Sequence, residues 1–505
     1  VNAVLLRSLP FREPERLVVL WESVRKEGAR QPLSYPDFED WRRQNRVFEQ
    51  IAAGSGAESL TMTGRGTAQQ VGAEYVTENF FAVLGIAPLL GRVFLPEENS
   101  PGGHHRVAVL SYEIWQRRFG ADPGVINQVL VLNEISYTVI GVMPPGFRGE
   151  SDRADLWLPF RSMALGFPVG DFVTDRQVRW HVGVGRLKPG VTLTQAQADL
   201  EGIARQLEAA YPDTNTGVGV WLQPMTEAWV GEFRAALLAL LSAVGFVLLI
   251  ACSNVANLQL GRARARRKEL AVCAALGASR ARLIRQLLTD SLLLAILGGL
   301  AGGLLAAWLT SALLAFSPIA FPSFVRVTLD WRVLSFASAL SVLSGVLSGF
   351  LPAWTTTRAD LASLLNEGRQ TATREHRRLG ASLVVAELAL AVVLLVGAGL
   401  MIRSLLGLQQ TDLGFDGRNL LTLRLHTGAQ KYERPEAVVS LSEELLTRLA
   451  VLPGVASVAL VQADLPPGGG YYGWPAELQG RPLTSPDAAI RLNQHRVSPG
   501  FFATF

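Results

Sequence analysis

The side chains that could do chemistry in this sequence are few and scattered. A phosphate-binding GK[ST] loop needs a lysine behind a glycine. None of the four lysines, Lys26, Lys188, Lys268 and Lys431, follows one. The 505 residues are therefore not expected to form their own P-loop ATPase. His104 and His105 are adjacent, whereas His181, His376, His426 and His495 stand apart. No HExxH motif and no Cys/His cluster offers metal-ligand spacing, and the SPGGHH context of the pair reads as a solvated turn. Gly468 to Gly470 precede no helical pattern and read as a loop rather than a phosphate cradle. Cys252 and Cys273 fall in an apolar run and in a basic loop, so no disulfide framework is expected. No catalytic residue, metal or cofactor of the chain's own is expected.

The dense charge lies elsewhere, in Gly261 to Gln286. Arg262, Arg264, Arg266, Arg267, Lys268, Arg280, Arg282 and Arg285 stand there against a single acid, Glu269. On either side, Ala235 to Gly261 and Ser291 to Val325 contain no Asp, Glu, Lys or Arg. Each run is long enough to span a bilayer, which takes about 20 apolar residues, and short loops this basic stay on the cytoplasmic side. Within the loop, LAVCAAL favours a helix, Gly277 suits a C-cap and Ser279 an N-cap for the helix that re-enters the membrane.

Those elements imply the rest of the organisation. With 49% hydrophobic residues, a mean hydropathy of +0.24 and a net charge of +4, the chain reads as a membrane protein with large water-facing parts. The pI near 9.2 is an arginine effect, and no nucleic-acid partner is inferred from it. Residues 1–10 read as the end of a missing first span. Residues 11–232 read as an α+β domain of strands (LVVLW, VAVLS, VLVLNEISYTVIGVM) and helices: YPDFEDWRRQNRVFEQI, and TLTQAQADLEGIARQLEAAYP capped by Thr194. Four spans are expected, at about 235–260, 287–312, 333–354 and 381–402, with a cytoplasmic linker at 355–380. The first three, with the coupling loop 261–286, form a domain at 233–354. Arg358, Arg369, Arg374, Arg377 and Arg378 make the linker basic, so 11–232 and 403–505 fall on the external side. The pairs Gly298/Gly302, Gly299/Gly303 and Gly345/Gly349 have small-xxx-small spacing, which suits either dimerisation or packing within one bundle. Glu387 lies inside the fourth span, where an acid is costly; it reads either as a functional group or as an interface acid paired with nearby arginines. The tryptophans of 11–232 read as core and membrane-edge residues rather than as a binding cleft.

The end of the chain starts over. LLRSLPF, ERLVVLWE and VTENFFAVLGI near the beginning reappear in order as MIRSLLGL, RNLLTLRLH and VSPGFFATF. Arg7-Ser8-Leu9 aligns with Arg403-Ser404-Leu405, and Phe80-Phe81 with Phe501-Phe502. The expected architecture is thus two duplicated halves, with residues 403–505 a truncated second external domain.

RRKELAVCAALGASRARLIRQLLTDSLLLAILGGLAGGLL resembles the signature region of MacB/FtsX-type ABC transporter permeases. RLVVLWE, VTENFFAVLGI, LLGRVF and RLKPGVTLTQAQADLE resemble the MacB-like periplasmic core domain. The doubled layout is similar to the acidobacterial duplicated orphan permease branch. Cys273 departs from the larger polar or basic residue usual in the family. The resemblance implies an α-helical transmembrane bundle plus a large α+β periplasmic domain, in the bacterial inner membrane. It implies no catalysis in this chain, with ATP bound by a separate ABC ATPase subunit. Arg267, Glu269, Leu270, Leu276, Gly277, Ala278, Ser279 and Arg280 would couple that subunit's closure to the periplasmic domain, by mechanotransmission in transport or efflux. A periplasmic or outer-membrane partner is compatible with this layout. The alternative is a non-transporting membrane regulator or scaffold acting on a periplasmic partner; a membrane-anchored external enzyme is disfavoured by the lack of a nucleophile-base or metal set.

Overall fold

The computed structural model describes residues 9–26, 28–64, 66–100, 106–166, 173–265, 280–316, 331–358, 371–410, 414–415, 417–425, 434–461, 473–476, 490–493 and 495–504. They divide into two compact units, one mainly of Ser8–Gly231 with Asp412–Phe505 and one mainly of Glu232–Phe321 with Val325–Thr411.

In the first unit the strands are β1 (Leu17–Val24), β2 (Ala29–Gln31), β3 (Leu33–Ser34), β4 (Phe48–Ser55), β5 (Glu58–Thr63), β6 (Gln69–Val76), β7 (Leu90–Gly91), β8 (Val107–Leu110), β9 (Val129–Leu132), β10 (Ile135–Val142), β11 (Leu156–Pro159), β12 (Arg179–Leu187) and β13 (Val218–Pro224). Its principal helices are α1 (Tyr35–Gln44), α2 (Phe80–Leu84), α3 (Tyr112–Phe119) and α4 (Leu193–Ala210).

Six of these strands close a ring in the order β6-β5-β9-β10-β8-β11 and back to β6, the last step being a parallel pairing with Leu156 opposite Ala73. Closure removes sheet edges. The ring is filled rather than open: Leu60, Met62, Val71, Tyr75, Leu130, Tyr137 and Leu156 form one buried cluster. The hairpin β9–β10 turns at Asn133-Glu134, both at positive φ (44° and 68°), which matches the twist of the strands it joins.

Four more strands extend this ring as an antiparallel sheet, β4-β12-β1-β13, while β2 pairs with β1, β3 with β12 and β7 with β10. Strand β1 is apolar on both faces, and its alternation divides two cores. Val18 and Leu20 face α1 and α4, whereas Leu17 and Val19 face α2 and the start of the next helix. The outer edge of β13 is sealed by α4. Gln197 Nε2 donates to Val220 O at 2.7 Å, Leu222 N–H donates to Gln197 Oε1 at 3.1 Å, and Val220 N–H donates to Glu201 Oε2 at 3.1 Å. These side chains replace a neighbouring strand and leave those groups closed to another chain.

Two helix limits differ from the sequence reading. Helix α1 ends at Gln44, and VFEQI enters β4, because Asn45 Nδ2 donates to the carbonyls of Trp41 (2.8 Å) and Arg42 (3.0 Å) and its Oδ1 accepts from Phe48 N–H. Helix α4 is capped by Thr192 rather than Thr194, since Gln195 then stands at the third helical position and closes a reciprocal capping box.

The second unit holds α5 (Met225–Ala265, whose first residues belong to the first unit), α6 (Arg280–Phe316), α7 (Trp331–Arg358) and α8 (Thr371–Gln409). Among the described residues, three windows are long and apolar enough to cross a membrane: Arg234–Leu258, Leu288–Leu313 and Ala381–Gln409, with mean hydropathies of 2.7, 2.2 and 2.6. Helix α7 forms over the third expected span, and the described part of its apolar stretch is Val333–Val346. Leu304 and Leu395 are 75% and 74% exposed. Apolar surface on that scale is untenable in water, and the chain is a membrane protein.

Candidate functional site

Helix α5 is the element that leads from the β-rich domain into an apolar window. It is 41 residues long, about 60 Å at a rise of ~1.5 Å per residue. Its first residue, Met225, is 0% exposed and lies in the core that also holds Phe81, Phe147 and Trp157. One turn on, Trp229 meets Phe11 edge to face at 5.5 Å. Phe11 meets Phe147 at 6.5 Å, Phe147 stacks on Trp157 at 5.0 Å, and Trp157 meets Phe81 at 5.6 Å. The helix therefore starts inside a chain of packed rings, each such pair worth about 0.5–1.5 kcal/mol beyond its buried area.

Two buried charge clusters stiffen the same domain. Glu22, fully buried on β1, accepts from Arg179 Nε at 2.5 Å and from Ser34 N–H at 2.9 Å. Burial pushes its carboxyl up to about 7 against the pull of Arg179. Beside it, Arg176 bridges Asp37 and Asp40 of α1 and lies 3.9 Å over the Tyr211 ring, and Asn215 Nδ2 donates to Asp37 at 3.0 Å. The second cluster centres on Glu74 of β6, which accepts from Ser151 N–H (2.8 Å), Glu150 N–H (3.3 Å) and Trp157 Nε1 (2.9 Å) and so pins the loop before β11. Gly149 in that loop has φ +77°, and a Cβ there would lie 1.9 Å from Glu74 Oε2, so only glycine fits. Burial, then the Glu74 charge, pushes the Glu150 carboxyl up to about 8. Neither cluster was identified from the sequence. The acid interrupting LVVLWESV was the available signal for Glu22, but its partner lies 157 positions away.

In the helical unit, small residues mark the close approaches. A Cβ on Gly345 of α7 would lie 2.6 Å from Ala295 Cβ of α6, and one on Gly299 of α6 would lie 3.0 Å from Ser341 Oγ of α7. Gly298, Gly302 and Gly303 have nothing within 4 Å of the corresponding point. Gly349 lies on α7, one turn beyond Gly345. Cys252 Sγ and Ser344 Oγ are 2.9 Å apart, joining α5 to α7, and Ser253 Oγ donates to Leu383 O of α8 at 3.4 Å. Glu387 follows Leu383 by one turn on α8 and is half-buried.

The coupling loop is only framed. Helix α5 ends at Ala265 and α6 begins at Arg280, with Arg282 and Arg285 exposed. Arg267, Glu269, Leu270, Leu276, Gly277, Ala278 and Ser279 lie outside the described residues, as do Cys273, His104, His105 and the glycines 468–470. His181 is a core residue, packed against the Phe160 ring at 4.6 Å. No group of three or more His, Cys, Asp or Glu suited to a metal is found among the described residues.

Comparisons with known proteins bear on both units. Residues 3–203 match the model of the MacB-like periplasmic core domain, and residues 241–361 match that of the FtsX-like permease C-terminal domain. The pyoverdine export ATP-binding/permease protein PvdT of Pseudomonas syringae pv. tomato is 28% identical over 247 residues, 47% of this chain and 34% of that protein. The macrolide export ATP-binding/permease protein MacB of Neisseria gonorrhoeae is 26% identical over 289 residues, 56% of this chain and 42% of that protein. The chain thus spans less than half the length of these curated relatives. Among solved structures, the periplasmic region of MacB from Actinobacillus actinomycetemcomitans aligns with 13% identity and a TM-score of 0.34, covering 46% of this chain and 96% of that one. A domain of a putative permease from Porphyromonas gingivalis aligns with 16% identity and a TM-score of 0.33, over 42% and 92%. The chain thus carries a region similar to the MacB-like periplasmic core domain followed by a region similar to the FtsX-like permease C-terminal domain.

Proposed function

We propose that this chain is the permease component of an ABC-type transport or efflux system, driven by ATP hydrolysis on a separate nucleotide-binding protein. The observation that carries the reading is the tandem of the two matched domains, with α5 beginning in the core of the first and running through the apolar window that opens the second. The matched relatives are named as joint ATP-binding/permease proteins. The 505 residues here hold no GK[ST] loop, and in this reading the nucleotide site is on a separate ATP-binding protein.

In this reading the basic loop 261–286 faces the cytoplasm of a bacterium and docks on the ATPase. Glu269 and its neighbouring arginines make the charged contacts, and Gly277-Ala278 makes the turn. The chain is multi-pass in the inner membrane, with residues 11–232 in the periplasm. ATP-driven movement at the loop reaches the periplasmic domain through α5 by mechanotransmission rather than through a tunnel. The chain itself holds no cofactor.

The test is gentle-detergent purification of the protein from native membranes. An ATP-hydrolysing subunit should co-purify and be lost in the double variant Glu269→Arg, Gly277→Pro. If no ATPase accompanies the unsubstituted protein, the permease reading fails and a non-transporting scaffold on the same fold takes its place.

A further inference from the structure

On β12, Arg186 carries a charge into the domain without an acid of its own. Its side chain is 7% exposed. Nε and Nη2 both donate to Val83 O, at 3.0 and 2.8 Å, and Nη1 donates to Glu13 O at 3.4 Å. The carboxylate it approaches, that of Glu13, is 3.8 Å away and already takes Arg16, which also holds Glu49 at 2.7 Å. Burial, then the Arg16 charge, pulls the Arg186 guanidinium below its ordinary value. Buried charges are ordinarily paired; here backbone carbonyls stand where a counter-ion belongs.

Arg186 lines a small cleft with Arg12, Glu13, Glu49, Gln50 and Val83. Arg12 is exposed, and its side chain makes no ion pair or hydrogen bond among the described residues. The charges that act on Arg186 are those of Arg12, Arg16, Glu13 and Glu49, so three guanidinium groups face two carboxylates and one positive charge is left over.

The backbone is shaped to bring the two free-ended arginines together. Gly85 ends α2 at φ +71°, and a Cβ there would lie 2.5 Å from Arg12 Cβ and 3.5 Å from Arg186 Nη2. Glu13 holds φ 44° and ψ 60°. That left-handed conformation is rare for a residue with a Cβ and is further opposed by the following Pro14. Backbone cost of this kind collects at binding sites, and here it turns the chain so that Arg12 and Glu13 both line the cleft.

The cleft starts one residue from the root of α5. Phe11, which precedes Arg12, is the residue that meets Trp229 at 5.5 Å. On the same helix Trp229 precedes Arg234, where the apolar window opens, by about 7.5 Å at the α-helical rise. The headgroup layer of a bilayer is about 5–8 Å deep on each side of the hydrocarbon. The Phe11–Trp229 contact therefore falls at the depth of lipid phosphates.

We propose that the Arg12–Arg186 cleft binds the phosphodiester of a lipid headgroup, with the Arg12 guanidinium and Arg186 Nη1 as donors. A phosphodiester carries one negative charge, which matches the surplus, and guanidinium groups suit phosphate oxygens. Glu13 and Glu49 oppose a second negative charge, which sets a diester above inorganic phosphate or a monoester, with about 1.5–2 charges at neutral pH. The inference concerns the domain and the bilayer and does not rest on an ATPase partner, so its failure and that of the permease reading are separable.

The experiment purifies the full 505-residue chain in a maltoside detergent and titrates it with dihexanoyl phosphatidylglycerol, reading bound lipid by native mass spectrometry. Inorganic phosphate and a phosphate-free dihexanoyl glycolipid serve as competitors. Arg12→Gln should weaken lipid binding about tenfold or more, the scale of one lost charged hydrogen bond. Arg12→Lys should keep most of the affinity, and Arg106→Gln, outside the cleft, should keep all of it. Arg12 is exposed, so its variants should retain the calorimetric midpoint; Arg186→Gln should lose the lipid as well, and its midpoint separates lost binding from lost folding. Displacement by inorganic phosphate at equal concentration would make the cleft a free-phosphate site and overturn the lipid assignment. Displacement by the glycolipid, or a fall with Arg106→Gln as large as with Arg12→Gln, would overturn the phosphate site itself, as would affinity indifferent to Arg12→Gln.

Discussion

If α5 carries movement between the domain and the apolar window, loosening its root should uncouple the two at a cost that can be worked out beforehand. Met225 opens the helix and is 0% exposed within the ring cluster of Phe81, Phe147 and Trp157. Met225→Ala leaves a cavity where the side chain was, and such truncations cost about 2–5 kcal/mol. Trp229 and Phe11 border the site and can partly collapse into it. A loss of about 3 kcal/mol is therefore expected, equivalent to a fall of about 6–12 °C in the unfolding midpoint of a domain this size. The control is Met62→Ala, which empties a comparable volume in the closed ring, where Met62 is 2% exposed. Both variants should lower the midpoint, measured by scanning calorimetry in detergent. Only Met225→Ala should weaken the nucleotide-dependent change in protease protection of the domain in the co-purified complex. A midpoint unchanged within about 1 °C would refute the packing argument. Equal weakening by Met62→Ala would refute the role of the root, since general destabilisation would then suffice.

Two further outcomes follow from the same structure. The Glu150 carboxyl is raised from 4.5 to about 8, so the native state holds its proton over a range where the unfolded chain has lost it. Its contribution to stability is full below about 4.5 and is lost as pH rises through about 8; unfolding midpoints taken from pH 5 to 9 should fall, and Glu150→Gln should flatten that slope. Glu22, raised to about 7, and Glu74 and Glu58, also raised by burial, act with the same sign, so a slope indifferent to Glu150→Gln would assign the effect to those carboxyls and contradict the placement of Glu150. In the helical unit, Gly345→Leu must part α6 from α7 because its Cβ would meet Ala295 Cβ at 2.6 Å, whereas a Cβ at position 303 meets nothing within 4 Å and Gly303→Leu starts from open space. Resistance to unfolding in mixed micelles should drop by about 1–3 kcal/mol for the first and stay near the unsubstituted value for the second; the reverse order would mean that the glycine at 303, not at 345, holds two helices together.

What the sequence made legible was what repeats or alternates nearby. The strand runs LVVLW, VAVLS and VLVLNEISYTVIGVM appear in the structure as β1, β8 and the β9–β10 hairpin, because each carries its own period and its own turn. The apolar runs likewise appear as long helices. The misses all involve a partner that local pattern does not encode. Helix α1 read on through VFEQI because the residues are compatible with a helix, and the stop comes from two bonds made by one Asn45 amide. Thr192 and Thr194 are equivalent as single residues, and only the reciprocal bond with Gln195 chooses between them. Ring closure needs Leu156 to find Ala73, and the buried network needs Arg179 to find Glu22, in both cases across most of the domain.

The repeat shows the same rule from the other side. LLTLRL carries the alternation that makes β1 a buried central strand, and it lies exposed where β1 is covered. A pattern states which face must be covered, but the cover itself comes from β12, α4 and β13, more than 150 residues away along the first domain. A local motif therefore recurs in the Ser498 hydroxyl and the paired Phe501-Phe502 rings as it stands around Thr77 and Phe80-Phe81, whereas the burial of β1 depends on partners distant in sequence.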